Sequence, residues 1–140
     1  MTQKKFLTAV DGSEHSVKVV DKAIELSEIY NAEIILIHCH KKFPTILGEP
    51  YKEQAVSSTL LEAEKVVKPH LNKLAENGIR HSKRLMEEPA GTQIANVAEI
   101  EKCDMIIMGS RGLTNLEGLI VGSTTHRVLH LATCSVLVVK

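Results

Sequence analysis

The sequence predicts an α/β fold: a parallel sheet with helices on both faces, within one domain spanning residues 1–140. Three observations predict it. Short runs from Phe6 to Val10, Ile34 to Cys39, Met105 to Met108 and Ser135 to Val139 are apolar almost throughout, as strands buried on both faces require. The longer stretches between them carry apolar residues three and four apart, the period of a helix with one buried face. The two patterns alternate as βαβαβαβαβ, and strands joined by helical crossovers pair in parallel.

The elements follow in order. The first strand ends at Asp11-Gly12, a turn pair, and Ser13 is placed to cap the next helix with Glu14 in its first turn. Val17, Val20, Ala23 and Ile24 mark that helix to about Tyr30. After the second strand, residues 41–52 hold Pro44, Gly48 and Pro50 and read as a loop. A long helix follows on the stripe Val56, Leu60, Val67, Leu71 and Leu74, with a kink or break expected at Pro69 and an end at Gly78. Residues 79–88 form a more polar strand, and residues 92–102 a helix with Ile94, Val97 and Ala98 inward. Beyond the strand that ends at Met108, residues 109–122 read as a loop, 123–132 as a helix and 135–139 as the last strand.

Composition excludes several function classes. The chain has 140 residues, 44% hydrophobic and 24% charged, with a formal net charge of zero. No basic excess is present to bind phosphodiester backbones, and two Phe and two Tyr offer few rings for base stacking, so no nucleic-acid partner is expected. No apolar run approaches the length of a membrane helix, and the first residues do not form a signal peptide. Cys39, Cys103 and Cys134 are odd in number and lack CxxC spacing, which fits free thiols and a cytoplasmic location.

The chemistry concentrates in one segment: Gly109-Ser110-Arg111-Gly112, nine further residues, then Gly122-Ser123-Thr124. It begins where a strand ends and finishes where a helix begins. Glycines allow close approach of backbone N–H groups, and a helix start offers unpaired N–H groups and a partial positive charge to a phosphate. Glycine content alone leaves two readings open, a surface loop ending in a serine cap or a phosphate cradle. A P-loop is excluded, because no lysine lies between Gly109 and Leu131; the dinucleotide fingerprint is also absent, because only Asp11-Gly12-Ser13 follows the first strand.

The spacing G-x2-G-x9-G-[ST], filled by Gly109, Gly112, Gly122 and Ser123, resembles the ATP-binding motif of the universal stress protein family. The resemblance extends to Ala9-Val10-Asp11-Gly12-Ser13, Leu36-Ile37-His38-Cys39, the approach from Asp104 to Gly109, and Val136-Leu137-Val138-Val139. It implies a doubly wound five-stranded sheet in the order 3-2-1-4-5, which sets the ends of the first and fourth strands side by side at a topological switch point. It further implies ATP as ligand, with Mg2+. Ala9, Asp11 and Cys39 would surround adenine and ribose. Met108, Gly109, Arg111 and Gly112 would line the loop, and Gly122, Ser123 and Thr124 would hold the phosphates. Arg111 stands where some relatives carry histidine, and either meets phosphate or points to solvent. Stress regulation through an unidentified partner protein is the implied role. A homodimer is expected through Ser135 to Val139, an uncharged apolar strand at the sheet edge that needs protection.

Other residues carry weaker signals. Asp11 is also readable as a turn carboxylate alone. His38 and His40 share a strand face, and His126 and His130 share a helix face, yet neither pair has a third ligand in view, and packing or solvation explains them more simply. Cys103 and Cys134 read as packing residues, and Glu62, Glu64, Lys65 and Lys68 as a solvated helix face. Two further functions stay open: a slow ATPase or phosphate-transferring enzyme, and a nucleotide-independent interaction module. Efficient phosphoryl transfer normally uses a lysine and several carboxylates, whereas this loop has no lysine and one carboxylate, Glu117.

Overall fold

The computed structural model describes residues 3–111 and 121–140. Five strands and four helices alternate: β1 (Lys5–Ala9), α1 (His15–Tyr30), β2 (Glu33–His40), α2 (Tyr51–Glu76), β3 (His81–Glu87), α3 (Ala90–Ile100), β4 (Met105–Gly109), α4 (Ser123–Leu131) and β5 (Ser135–Val139). All pairings are parallel and the strand order is β3-β2-β1-β4-β5, as expected.

The apolar runs make strands because both of their faces are covered. Phe6, Val10, Ile34, Leu36 and Ile107 face α1 and α2, where they pack with Val19, Val20, Ala23, Val67 and Leu74. Their neighbours Leu7, Ile35, Ile37, Ile106 and Met108 face the other way, onto Ile94, Val97, Ala98 and Val128 of α3 and α4. The period-2 alternation of a strand thus divides one continuous apolar run between two cores. Gly78 closes α2 at φ +66°, its N–H bonding to Ala75 O and the Ile79 N–H to Leu74 O.

Several elements differ from the sequence expectation. Ser13 does not cap α1: the helix starts at His15 after an uncapped Glu14, and the Ser13 hydroxyl donates to Asp11 Oδ1 instead, at 2.6 Å. An adjacent carboxylate is a stronger acceptor partner for the hydroxyl than the helix start is a donor. Val17 is 47% exposed, because the inward face of α1 runs through Ser16, Val19, Val20, Ala23 and Ser27. Pro69 does not break α2, which continues to Glu76; Val67 and Leu74, fully buried on either side of it, hold both halves against the sheet. Burial of such side chains contributes about 1.5–3 kcal/mol each, enough to offset the roughly 3 kcal/mol of an internal proline. Helix α2 begins at Tyr51, inside the expected loop, and α3 begins at Ala90 rather than Thr92, directly after Pro89. No helix among the described residues is long and apolar enough to cross a membrane. Gly112 and Glu117 lie outside the described residues.

Candidate functional site

Because β1 lies between β2 and β4, the chain leaves β1 toward one face of the sheet and leaves β4 toward the other. A crevice opens above the C-terminal strand ends at this reversal. It forms a cavity of about 720 Å³, within the range of small-molecule sites. Ala9, Asp11, Cys39, Met108, Gly109, Arg111, Gly122, Ser123 and Thr124 all line it. Of the ten residues expected there, the remaining one is Gly112, outside the described residues.

The cavity is chemically divided. One part is apolar, walled by Ile37, Cys39, Ala90, Ile94 and Met108. Burial, and then Glu88, push the Cys39 thiol up to about 11, so it stays protonated and serves as a soft wall. The other part is polar and is bounded by two helix starts. His15 and Ser123, the first residues of α1 and α4, both face the cavity, and neither helix has a side-chain cap among the described residues. The start of α4 leaves N–H groups and a partial positive charge for an anion, whereas at the start of α1 the Ser16 and Val17 N–H groups already bond Ser13 O and Glu14 O.

Hydrogen bonds hold the start of α4 against the end of β4. The Thr125 hydroxyl donates to Gly109 O at 2.6 Å, the Gly122 N–H to Ser110 O at 2.8 Å, and the Ser110 N–H to Val139 O at 2.9 Å. The two ends of the glycine loop are therefore fastened to each other and to β5.

Asp11 is part of a turn and also faces the cavity. Its Oδ1 accepts from the Ser13 N–H (3.0 Å), the Ser13 hydroxyl (2.6 Å) and the Ser16 hydroxyl (3.0 Å). Oδ1 is thus saturated by the chain, and Oδ2 is the oxygen left for a ligand. Gly12 adopts φ +86°, and a Cβ there would also meet Val66 of α2 at 3.4 Å, so the turn requires glycine.

Packing by itself calls for glycine at position 109. A Cβ at this position would stand 2.5 Å from His15 Cδ2 and 3.0 Å from Arg111 O. Gly122 differs: its φ is −68°, and among the described residues a Cβ would find only Ser110 O, at 3.5 Å, so neither conformation nor packing against those residues demands glycine there.

Sequence reasoning missed His15, Ala90, Ile94 and the α2 wall of Ser58, Thr59, Glu62 and Ala63. The only signal available was position, namely the polar N-terminal half of α2 and the residue opening the helix after Asp11. Glu62 was read as part of a solvated face. It is indeed exposed, 3.5 Å from Lys65, yet it also borders the cavity. His38 and His40 do share a face, buried, with Nδ1 donating to Val10 O (2.9 Å) and Lys41 O (2.8 Å) respectively. Among the described residues, no three His, Cys, Asp or Glu side chains gather as a metal site. Burial also raises the Cys103 thiol, to about 11, and raises that of Cys134.

An open parallel sheet of this order, with a ligand-sized crevice at its switch point, places the chain among the doubly wound α/β folds. The profile of the universal stress protein family matches residues 2–140, and the chain belongs to that family. A universal stress protein of Thermus aquaticus is 33% identical over 138 residues, 98% of each chain. The solved structure of protein MJ0577 superposes with a TM-score of 0.88 at 27% identity, over 100% of this chain and 97% of that one; MJ0577 is a universal stress protein of Methanocaldococcus jannaschii. A family protein of Arabidopsis thaliana solved with AMP bound superposes at 0.73, with 18% identity over 98% and 91% of the two chains. A universal stress protein in complex with cAMP superposes at 0.75, also at 18%, over 100% and 99%. At that identity these two show the shared fold.

Proposed function

We propose that the chain is a cytoplasmic regulatory protein of the stress response that binds an adenine nucleotide, ATP with Mg2+, without efficient turnover. The observation that carries this reading is the graded cavity, apolar at Ile37, Cys39 and Ala90 and electropositive at the uncapped start of α4. A flat apolar base with an anionic tail matches both halves. Ala9, Asp11 and Cys39 surround adenine and ribose, with Asp11 Oδ2 accepting from a ribose hydroxyl. Met108, Gly109, Arg111 and Gly112 border the ligand, and Gly122, Ser123 and Thr124 take the phosphates. Nucleotides held by structural neighbours support the choice of adenine. Mg2+ would be held chiefly by phosphate oxygens and water, its usual mode on nucleotides. Residues 1–140 form one nucleotide-binding domain, and the regulated protein is a separate chain. Titration calorimetry tests the reading: ATP should bind at one site per chain, and absence of binding by ATP, ADP and AMP up to millimolar concentration would overturn it.

The same reading makes the protein a homodimer through β5, which lies at the sheet edge with Val136 to Val139 half-buried. Val139 O accepts from Ser110 of the β4 side, so strand alternation turns the backbone groups of Val136 and Val138 outward. Two copies pairing antiparallel about a twofold axis would satisfy both edges. Light scattering should give two chains for the wild type at micromolar concentration and one for Val138→Pro and Leu137→Lys. Leu137→Pro removes an inward donor and should lower thermal stability as well. A wild-type mass of one chain would end the dimer reading.

A further inference from the structure

We infer that His15 contacts the outer phosphates of the nucleotide and so sets a preference for a polyphosphate over a monophosphate; this rests on the nucleotide reading above. One edge of the imidazole is committed to the protein. Nε2 lies 2.7 Å from Val139 O, and a carbonyl oxygen only accepts, so Nε2 carries a proton and donates it. Cδ2, adjacent to Nε2 in the ring, rests against Gly109, where a Cβ would stand 2.5 Å away. The opposite edge, which holds Nδ1, is therefore turned from the ends of β4 and β5. His15 lines the cavity, and its Nδ1 makes no hydrogen bond among the described residues.

Two helix starts meet this cavity, and a single phosphate occupies one of them. The first phosphate goes to the start of α4, beside Ser123 and Thr124. Outer phosphates extend from there toward His15, which opens α1, in a cavity whose lining also carries Lys41 and Arg111. With Nε2–H already donated to Val139 O, Nδ1 is the ring nitrogen left to bond a phosphate oxygen, as the second N–H of the ring. The charged residues that line the same cavity are Asp11 from the β1–α1 turn, Lys41 after β2, Glu62 from α2, Glu88 after β3 and Arg111 after β4.

The test separates the two edges of the ring. In His15→Gln the amide nitrogen replaces Nε2 and keeps the bond to Val139 O, but nothing replaces Nδ1. In His15→Asn the amide nitrogen replaces Nδ1, and the tie to Val139 is lost. AMP and ATP are titrated in magnesium buffer into all three proteins, and thermal unfolding reports the tie. The wild type should bind ATP at least about tenfold more tightly than AMP, a difference of one charge-assisted hydrogen bond. The Gln variant should lose about that factor for ATP and stay within twofold for AMP. The Asn variant should keep the ATP preference at a lower melting temperature. Equal weakening of both nucleotides in the Gln variant, or unchanged ATP affinity there, would overturn the role of His15. Equal wild-type affinity for AMP and ATP would overturn it while leaving the nucleotide reading intact. Binding of neither would remove both.

Discussion

Gly109→Val should be the most destabilising single change at the site. The added Cβ would fall 2.5 Å from His15 Cδ2, in a ring that cannot swing aside without releasing Val139 O. Arg111 O, at 3.0 Å, is backbone and yields no more easily. Overpacking of this kind costs about 1–3 kcal/mol, which for a chain of this size lowers the melting temperature by roughly 3–15 °C. Scanning calorimetry measures it. Because the tighter contact is with one side chain, His15→Ala should recover part of the loss in a double variant, a non-additivity expected of touching residues. A melting temperature within a degree of wild type in the single variant would show that the ring and Gly109 do not pack as described.

Gly122→Val should do the reverse, leaving the fold intact and removing the ligand. Its backbone, at φ −68° and ψ 164°, suits any residue, and among the described residues a Cβ would meet only Ser110 O, at ordinary contact distance. Thermal stability should therefore change little. The isopropyl group would stand before the first N–H groups of α4, where the phosphates are proposed to sit. Loss of two charge-assisted hydrogen bonds at about 1.5 kcal/mol each lowers ATP affinity about a hundredfold. Equal ATP affinity in the two proteins would refute the phosphate assignment.

The contrast between these glycines shows what the sequence discloses. The motif spacing marked both positions as special, but spacing is blind to the reason: His15 is 94 residues from Gly109 in the chain and against it in the fold. Strand identity was legible because burial on both faces demands unbroken apolar runs, as in Ile34 to Ile37. The strand order came from the resemblance, since local patterning carries no record of which strands adjoin. The capping role expected of Ser13 failed because Asp11, two residues earlier, captured its hydroxyl. Helix α2 continued through Pro69 because long-range burial of Val67 and Leu74 outweighed a local signal. The α2 wall was invisible for a related reason. Ser58, Thr59 and Glu62 are polar, as on any solvated helix, and only the fold sets them beside a cavity.

A crystal structure of the protein grown with MgATP tests the central claim most directly. The account predicts adenine packed against Ile37, Cys39 and Ala90, ribose beside Asp11, and phosphates at Ser123 and Thr124. An empty crevice at saturating ATP, or nucleotide bound elsewhere on the chain, would contradict it.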